Sequence, residues 1–257
     1  MAPDPASLLA DLATPGRTLA FCDETDVTHE GTSTMLPCIH LMGALVMPSD
    51  HYAAMRDELE GFRAACGLPE IHATEVVTPG TRSKWRQVER HVREEAFALA
   101  CGIAARPGNQ IAYVHVSKSQ YADMRCDSRG KRFPQRHKSG VKLVFTPLLV
   151  EHLEPMGPAV LVMDRDKPGS APTLTPMPRA GHLVGGGAVR ADSAAVAGLQ
   201  VADAALYSIG RYIRRRDGIV ADMTDVFDRI AMEMLVAMGG RIHSLLGNGG
   251  KDVARPS

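Results

Sequence analysis

Three aspartates in this chain stand where a charge is costly. Asp23 closes the apolar run Leu19-Ala20-Phe21-Cys22, Asp164 closes Val160-Leu161-Val162-Met163, and Asp203 sits between Val201-Ala202 and Ala204-Ala205. A carboxylate at the end of a buried strand is unfavourable unless it is hydrogen-bonded, paired or bound to a cation. Glu24 and Glu70 add two more carboxylates in similar context. Oxygen ligands of this kind suit a hard divalent cation such as Mg²⁺, which keeps several waters and takes substrate phosphates as further ligands. Taken singly, each residue has a plainer explanation. A strand-terminal Asp is commonly a turn former. Asp203 shares a helical stripe with Gln200, Tyr207 and Gly210, which a solvent-facing surface would also produce. The set, rather than any one member, points to a shared cation.

The elements that must position these residues can be read from periodicity. Thr18–Asp23 is a short buried strand and Cys38–Met47 a second, joined as a hairpin across the polar stretch from Thr25 to Pro37. Ser49 and Asp50 can cap a helix carrying Tyr52, Met55, Leu59 and Phe62, which Gly67 ends. Ser83 can cap a second helix, with Trp85, Val88, Val92 and Ala96 on one face and Arg86, Arg90 and Arg93 on the other. Ile111–Ser117 is a strand. Val141–Leu153 is an apolar helix, with Pro147 near its start or kinking it. Ala159–Asp164 is another buried strand. Lys167 to Gly187 is rich in proline and glycine and reads as a long loop, followed by a short strand over Ala188–Asp192.

Ala195–Arg216 is the clearest helix, with Leu199, Ala202, Leu206, Ile209 and Ile213 on one face. A last helix fits Asp225–Met238 and stops at Gly239-Gly240. The order β-β-α-α-β-α-β-(β)-α-α argues an α/β fold, a mixed sheet flanked by helices. We expect an N-terminal arm over residues 1–16, a single domain over 17–246 with a C-terminal helical extension, and a flexible tail over 247–257.

Composition narrows the function classes. With 257 residues, 45% hydrophobic and 23% charged, the chain is globular rather than disordered. Lys+Arg and Asp+Glu both number 29, which excludes a chain-wide cationic coat but leaves room for local patches. Aromatics at 5% make base-stacking platforms scarce. The cysteines at 22, 38, 66, 101 and 126 are odd in number and form no CxxC, so a reducing, cytoplasmic setting is expected. The opening MAPDPASLLADLATPGRT has no basic segment or long apolar run and does not read as a signal peptide. No run approaches the roughly 18 apolar residues of a membrane span, so no membrane partner is expected. Gly185-Gly186-Gly187 lacks the Lys-Ser/Thr of a phosphate-binding loop, and the histidines are scattered without zinc-ligand spacing. Cys22 reads as a core thiol, because a neighbouring carboxylate disfavours its thiolate.

Taken together, the segments resemble the DUF3800 family. FCDETD resembles that family's YIDESGD opening, and EIHATE over 70–75 its E-L-H segment. VLVMDRDK over 161–167 is similar to its central strand and Asp. DSAAVAGLQVADAALYSIGRYI over 192–213 resembles its closing signature through Ser193, Leu199, Gln200, Ala202, Asp203, Ala205 and Tyr207. The likeness spans most of residues 17–216 and departs at Thr25, where the family has Ser, and at Asp26, where it has Gly.

The resemblance implies a ribonuclease H-like fold and a metal-dependent nuclease. In such enzymes acidic residues from the first strand, a central strand and a late helix surround two Mg²⁺ or Mn²⁺ ions. It implies Asp23 as the bridging ligand, completed by Asp164 and Asp203, with Glu70 or Glu24 as the fourth. His72 would orient a ligand or carry a proton, or would be a structural or surface histidine. Ser193 and Gln200 would be donors that hold carboxylates.

Arg125–Lys142 carries seven Lys or Arg against Asp127. Of these, Arg129, Lys131, Arg132, Arg136 and Lys138 are candidates for tracking a nucleic-acid backbone, as are Arg211 and Arg214–Arg216. A solvated charged loop is the alternative. Two other functions stay open: a non-catalytic nucleic-acid or protein binding module, and a metal-dependent hydrolase of a small nucleotide-like molecule.

Overall fold

The computed structural model describes residues 4–27, 39–117, 138–165, 169–216 and 225–246. In chain order its elements are α1 (Pro5–Ala10), β1 (Thr18–Val27), β2 (Ile39–Pro48), α2 (Tyr52–Ala65), α3 (Ala73–Val77), α4 (Arg90–Ala104) and β3 (Gln110–Ser117). There follow α5 (Lys138–Leu153), β4 (Ala159–Asp164), β5 (Thr173–Pro176), β6 (Leu183–Ala191), α6 (Ala197–Arg216), α7 (Val226–Met238) and β7 (Ile242–Ser244). The strands form one mixed sheet in the order β5-β6-β4-β1-β2-β3-β7. β2 runs antiparallel to β1 and β3, β4 lies parallel to β1 and β6, and β5 is antiparallel to β6. The α/β class and the mixed, helix-flanked sheet agree with the sequence.

Strand alternation divides the core in two. Leu19 and Phe21 of β1, Leu41 and Leu45 of β2, and Val160 and Val162 of β4 face a layer of helices that includes α2, α4, α6 and α7. Ala20, Cys22, Met42, Ala44, Leu161 and Met163 face α5 through Phe145, Leu149 and Leu153. Both faces of β1 and β4 are therefore covered, which is why these strands read as continuous apolar runs.

Helix α6 lies closest to the sheet. A Cβ on Gly198 would come within 2.5 Å of the Phe21 ring, and one on Gly43 of β2 within 2.4 Å of the Leu206 side chain. Glycine at both contacts lets the backbone of one element seat directly on a side chain of the other.

Several expectations need correction. The stretch from Lys167 to Gly187 contains a hairpin, not a long loop: β5 pairs with a β6 that starts at Leu183 rather than Ala188. Its prolines are tolerated because β5 is the edge strand. The glycines serve the pairing, since a Cβ on Gly187 would fall 2.2 Å from the Thr175 carbonyl oxygen. The helix expected from Ser83 is interrupted. Ser83 caps a single 3₁₀ turn over Lys84–Gln87, Val88 is extended, and α4 begins only at Arg90. Periodicity persists across that break because Trp85 and Ala96 enter the same core. Pro147 lies inside α5 rather than near its start, on an exposed position. The C-terminal helix is no appendage: Phe227, Met234 and Met238 of α7 belong to the main core, and the unexpected β7 returns to pair with β3. At the other end, Asp4 caps α1, and Leu8 and Leu12 are buried. The expected tail over 247–257 lies outside the described residues.

Two glycine substitutions test the close seating of α6. Gly198→Ala forces a methyl into the Phe21 ring and should cost about 1–3 kcal/mol, as overpacking does. Gly102→Ala, on an open site of α4 with nothing within 4 Å, should instead gain roughly 0.5–1 kcal/mol from helix propensity. Urea denaturation of both variants measures the contrast, and a neutral Gly198→Ala would show that the helix can shift.

Candidate functional site

The ladder between β1 and β4 ends at Cys22 and Met163, and the next residues are Asp23 and Asp164. Each lies two positions beyond a residue of the α6-side core, Phe21 and Val162 respectively, so both leave the sheet on the face that α6 covers. Asp203 approaches from α6 and is itself buried, 8% exposed. This settles the alternative in which the Gln200–Asp203–Tyr207 stripe faces solvent: Gln200 and Asp203 point into the protein. The three carboxyl groups meet in one cleft of about 330 Å³, lined also by Glu24, Ile71, His72, Ser193, Leu199 and Gln200.

One wall of the cleft is an irregular segment held by side chains in place of a backbone ladder. Arg63 donates to the Pro69 carbonyl at 2.9 Å, and the Trp85 indole N–H to the Glu70 carbonyl at 3.0 Å. The Ile71 N–H donates to Gln200 Oε1 at 2.9 Å, and the Ala73 N–H to Asp203 Oδ2 at 2.7 Å. Ile71 is buried, while Glu70 and His72 on either side of it are more exposed. Glu70 Oε1 accepts from the Ser193 hydroxyl at 3.2 Å, and His72 Nδ1 stands 3.7 Å from Asp203 Oδ2. Gln200 Nε2 donates to the Ser193 carbonyl at 2.9 Å. Ser193 thus holds a carboxylate directly, whereas Gln200 holds two backbone groups. Glu24 touches the cleft, although alternation directs it away from Asp23; its N–H donates to Asp23 Oδ1 at 2.7 Å.

The electrostatics follow from burial. Desolvation, then the Asp203 charge, raises Asp23 well above the ordinary carboxylate range. Burial pushes Asp203 up to about 7, against the Ala73 N–H, which favours the ion. The two carboxyl groups are hydrogen-bonded to each other. Asp164 is raised by burial and by the charge of Asp192, countered by the N–H groups of Arg165 and Ser193. Asp192 has no role in the sequence reading. The structure gives it one: it caps the turn before α6 by accepting the Ala194 N–H. The Asp-Ser pair just ahead of a helix was the available signal. Burial and the neighbouring Asp23 charge push the Cys22 thiol far up, in keeping with a core thiol.

The donor set fits a hard divalent cation, since Asp23, Glu24, Asp164 and Asp203 line one opening and Glu70 lies close enough for its charge to act on Asp203. Among the described residues no three His, Cys, Asp or Glu side chains already stand in a metal-gripping arrangement. Mg²⁺ needs no such cage, because one or two carboxylates with waters and phosphate oxygens complete its shell. No helix among the described residues is long and apolar enough to cross a membrane.

Of the basic candidates, Arg211 and Arg214–Arg216 do not line the cleft. Arg129, Lys131, Arg132 and Arg136, together with Arg125, lie outside the described residues, and Lys138 is the first residue of α5. Arg211 is not available to a phosphate as expected, because the Asp228 carboxylate and the Tyr207 hydroxyl hold it between α6 and α7. No family model, no curated protein and no solved structure matches this chain.

The raised Asp203 fixes the sign of a pH effect. Its folded pKa of about 7 lies above the ordinary 3.8, so its contribution to stability is present at low pH and lost as pH rises through about 7. In EDTA, Asp203→Asn should flatten this loss and melt a few degrees above wild type at pH 8. Asn can still accept from the Ala73 N–H and donate to Asp23. Melting curves from pH 5 to 8 measure it, and a variant that melts below wild type at pH 8 would mark the ionised carboxylate as a structural partner.

Proposed function

We propose that this protein is a divalent-metal-dependent phosphodiesterase of ribonuclease H-like architecture, belonging with the DUF3800 group and hydrolysing nucleic acid. The observation that carries the reading is the meeting of Asp23 from the first strand, Asp164 from a central strand and Asp203 from a late helix in one cleft. Their order and elements are those the resemblance implies. Packing alone gives no reason to bring three acids together, since the charges of Asp203 and Asp164 raise the cost of ionising Asp23, and that of Asp164 raises it for Asp203. Sites that store such strain tend to be functional.

Asp23, Asp164 and Asp203, with Glu70 as fourth, would hold Mg²⁺ or Mn²⁺. A bound divalent cation supplies an activated water and charge stabilisation at a phosphodiester. The chain's own residues position that chemistry. The Glu24 N–H orients Asp23, the Ala73 N–H orients Asp203, and the Ser193 hydroxyl orients Glu70. His72, with half of its side chain exposed, stands over the opening where it can contact a substrate phosphate or pass a proton.

The basic stretch is consistent with a polyanionic substrate by the position of its ends. β3 runs parallel to β1, so Ser117 lies at the sheet end that carries Asp23. α5 leads back to the start of β4 at the opposite end, so its first turn lies at the cleft end too. The unpaired thiols of Cys22, Cys66 and Cys101 suit a reducing cytoplasm.

The test is cleavage of fluorescent single-stranded RNA and DNA with Mn²⁺ or Mg²⁺, for wild type, Asp23→Asn and Asp203→Asn. Wild type should cleave one of the two polymers and each variant should lose at least about 100-fold, as removal of a metal-holding group does. Mn²⁺ should also stabilise wild type by about 1.4 kcal/mol at ten times its Kd. Cleavage at wild-type rate by both variants would refute the assignment. Turnover of bis-p-nitrophenyl phosphate without any polymer cleavage would favour the small-substrate reading, with which the modest cleft volume also agrees.

A further inference from the structure

Ser193 uses three polar groups at once, each toward a different part of the cleft. Its N–H donates to Asp164. Its hydroxyl donates to Glu70 Oε1 at 3.2 Å, and its carbonyl accepts from Gln200 Nε2 at 2.9 Å. Gln200, 1% exposed, spends its other amide atom on the Ile71 N–H next to Glu70. The 3₁₀ turn that carries Ser193 is itself fixed by Asp192, through the Ala194 N–H at 3.1 Å. Two acidic residues from distant segments, Glu70 before α3 and Asp164 at the end of β4, are therefore tied to one residue.

We infer that Ser193 is a positioning residue that sets the placement of Glu70 relative to Asp164, with Gln200 locking both segments to α6. The inference rests on the metal-site reading above. It differs from a general structural role because the hydroxyl, unlike the backbone groups, touches only Glu70. Ser193→Ala keeps the N–H bond to Asp164 and the carbonyl bond to Gln200, on a partly exposed residue. The loss is thereby confined to one hydrogen bond.

The experiment is calorimetric titration of the full-length protein with Mn²⁺ alone, for wild type, Ser193→Ala, Ser193→Thr, Glu70→Gln and the Ser193→Ala/Glu70→Gln double variant. Ser193→Ala should bind Mn²⁺ about tenfold more weakly, the lower bound for a residue that orients a ligand. Its melting midpoint in EDTA should stay at the wild-type value. Ser193→Thr keeps a hydroxyl and should restore wild-type affinity. The double variant should bind like Glu70→Gln alone, because a residue that acts through Glu70 has nothing left to position. Wild-type affinity in Ser193→Ala, or a full additional loss in the double variant, overturns the inference and leaves the metal site standing. A wild type that takes up no Mn²⁺ overturns the metal-site reading itself and the inference with it.

Discussion

The close seating of helix α6 on strands β1 and β2 is the constraint on which the other features of this protein depend. Gly198 lies against the Phe21 ring and Gly43 against the Leu206 side chain, and neither glycine has room for a Cβ. Ala202 and Ala205 are fully buried on the same helix, which lets the core close around small residues. A helix so deeply set carries its polar residues into the protein with it. Gln200 and Asp203 therefore end up dry, and each must find partners there. The partners are the backbone of residues 71 and 73, so the depth of the helix also decides where the cleft wall runs.

That wall explains how buried acids are tolerated. An irregular segment beside a sheet leaves its N–H and C=O groups without a ladder, and each unpaired group would cost about 1–3 kcal/mol. Arg63, Trp85, Gln200 and Asp203 supply four of the missing partners. Asp203 gains a donor by the same bond that satisfies Ala73, so the carboxylate is part of the fold as well as of the cleft. Asp23 is served by the Glu24 N–H, and Asp164 by those of Arg165 and Ser193. None of these donors carries a full charge. They lower the cost of ionisation without removing it, and Asp23, Asp164 and Asp203 all stay raised. The divalent cation proposed above would supply the full positive charge these donors lack.

What the sequence made legible follows from the range of the forces involved. β1, β4 and α6 were readable because burial on both faces writes a continuous apolar run, and because an aspartate at the end of such a run is conspicuous. The hairpin of β5 and β6 was not, since proline and glycine normally mark loops. Only its edge position and the contact at Gly187 turn those residues into strand formers. The break at Val88 was hidden because Trp85 keeps the helical spacing while its indole reaches over to the Glu70 carbonyl. β7 has three residues and no pattern of its own; it exists by pairing with β3. In the cleft, residue types were legible and partners were not. Gln200 and Ser193 stood out by motif, but that one holds backbone and the other a carboxylate depends on contacts more than 100 positions apart in the chain.

The location of the cleft has a topological cause. β1 is longer than its parallel neighbour's pairing: it runs on with β2 to Val27, while its ladder with β4 stops at Cys22. Beyond that point the two strands part, and β1 and β4 lead away into different connections. Crevices at the carboxyl ends of parallel strands form where successive connections go opposite ways, and they collect ligand sites for that reason. Here the parting falls one residue before Asp23 and Asp164, so both carboxylates emerge where the sheet no longer fills the space between them. Had the ladder continued one residue further, cross-strand pairing would have pressed the two like charges together with no room for a cation or water. Because it stops there, α6 can bring Asp203 to the gap, hydrogen-bonded to Asp23, and the three acids line a common opening.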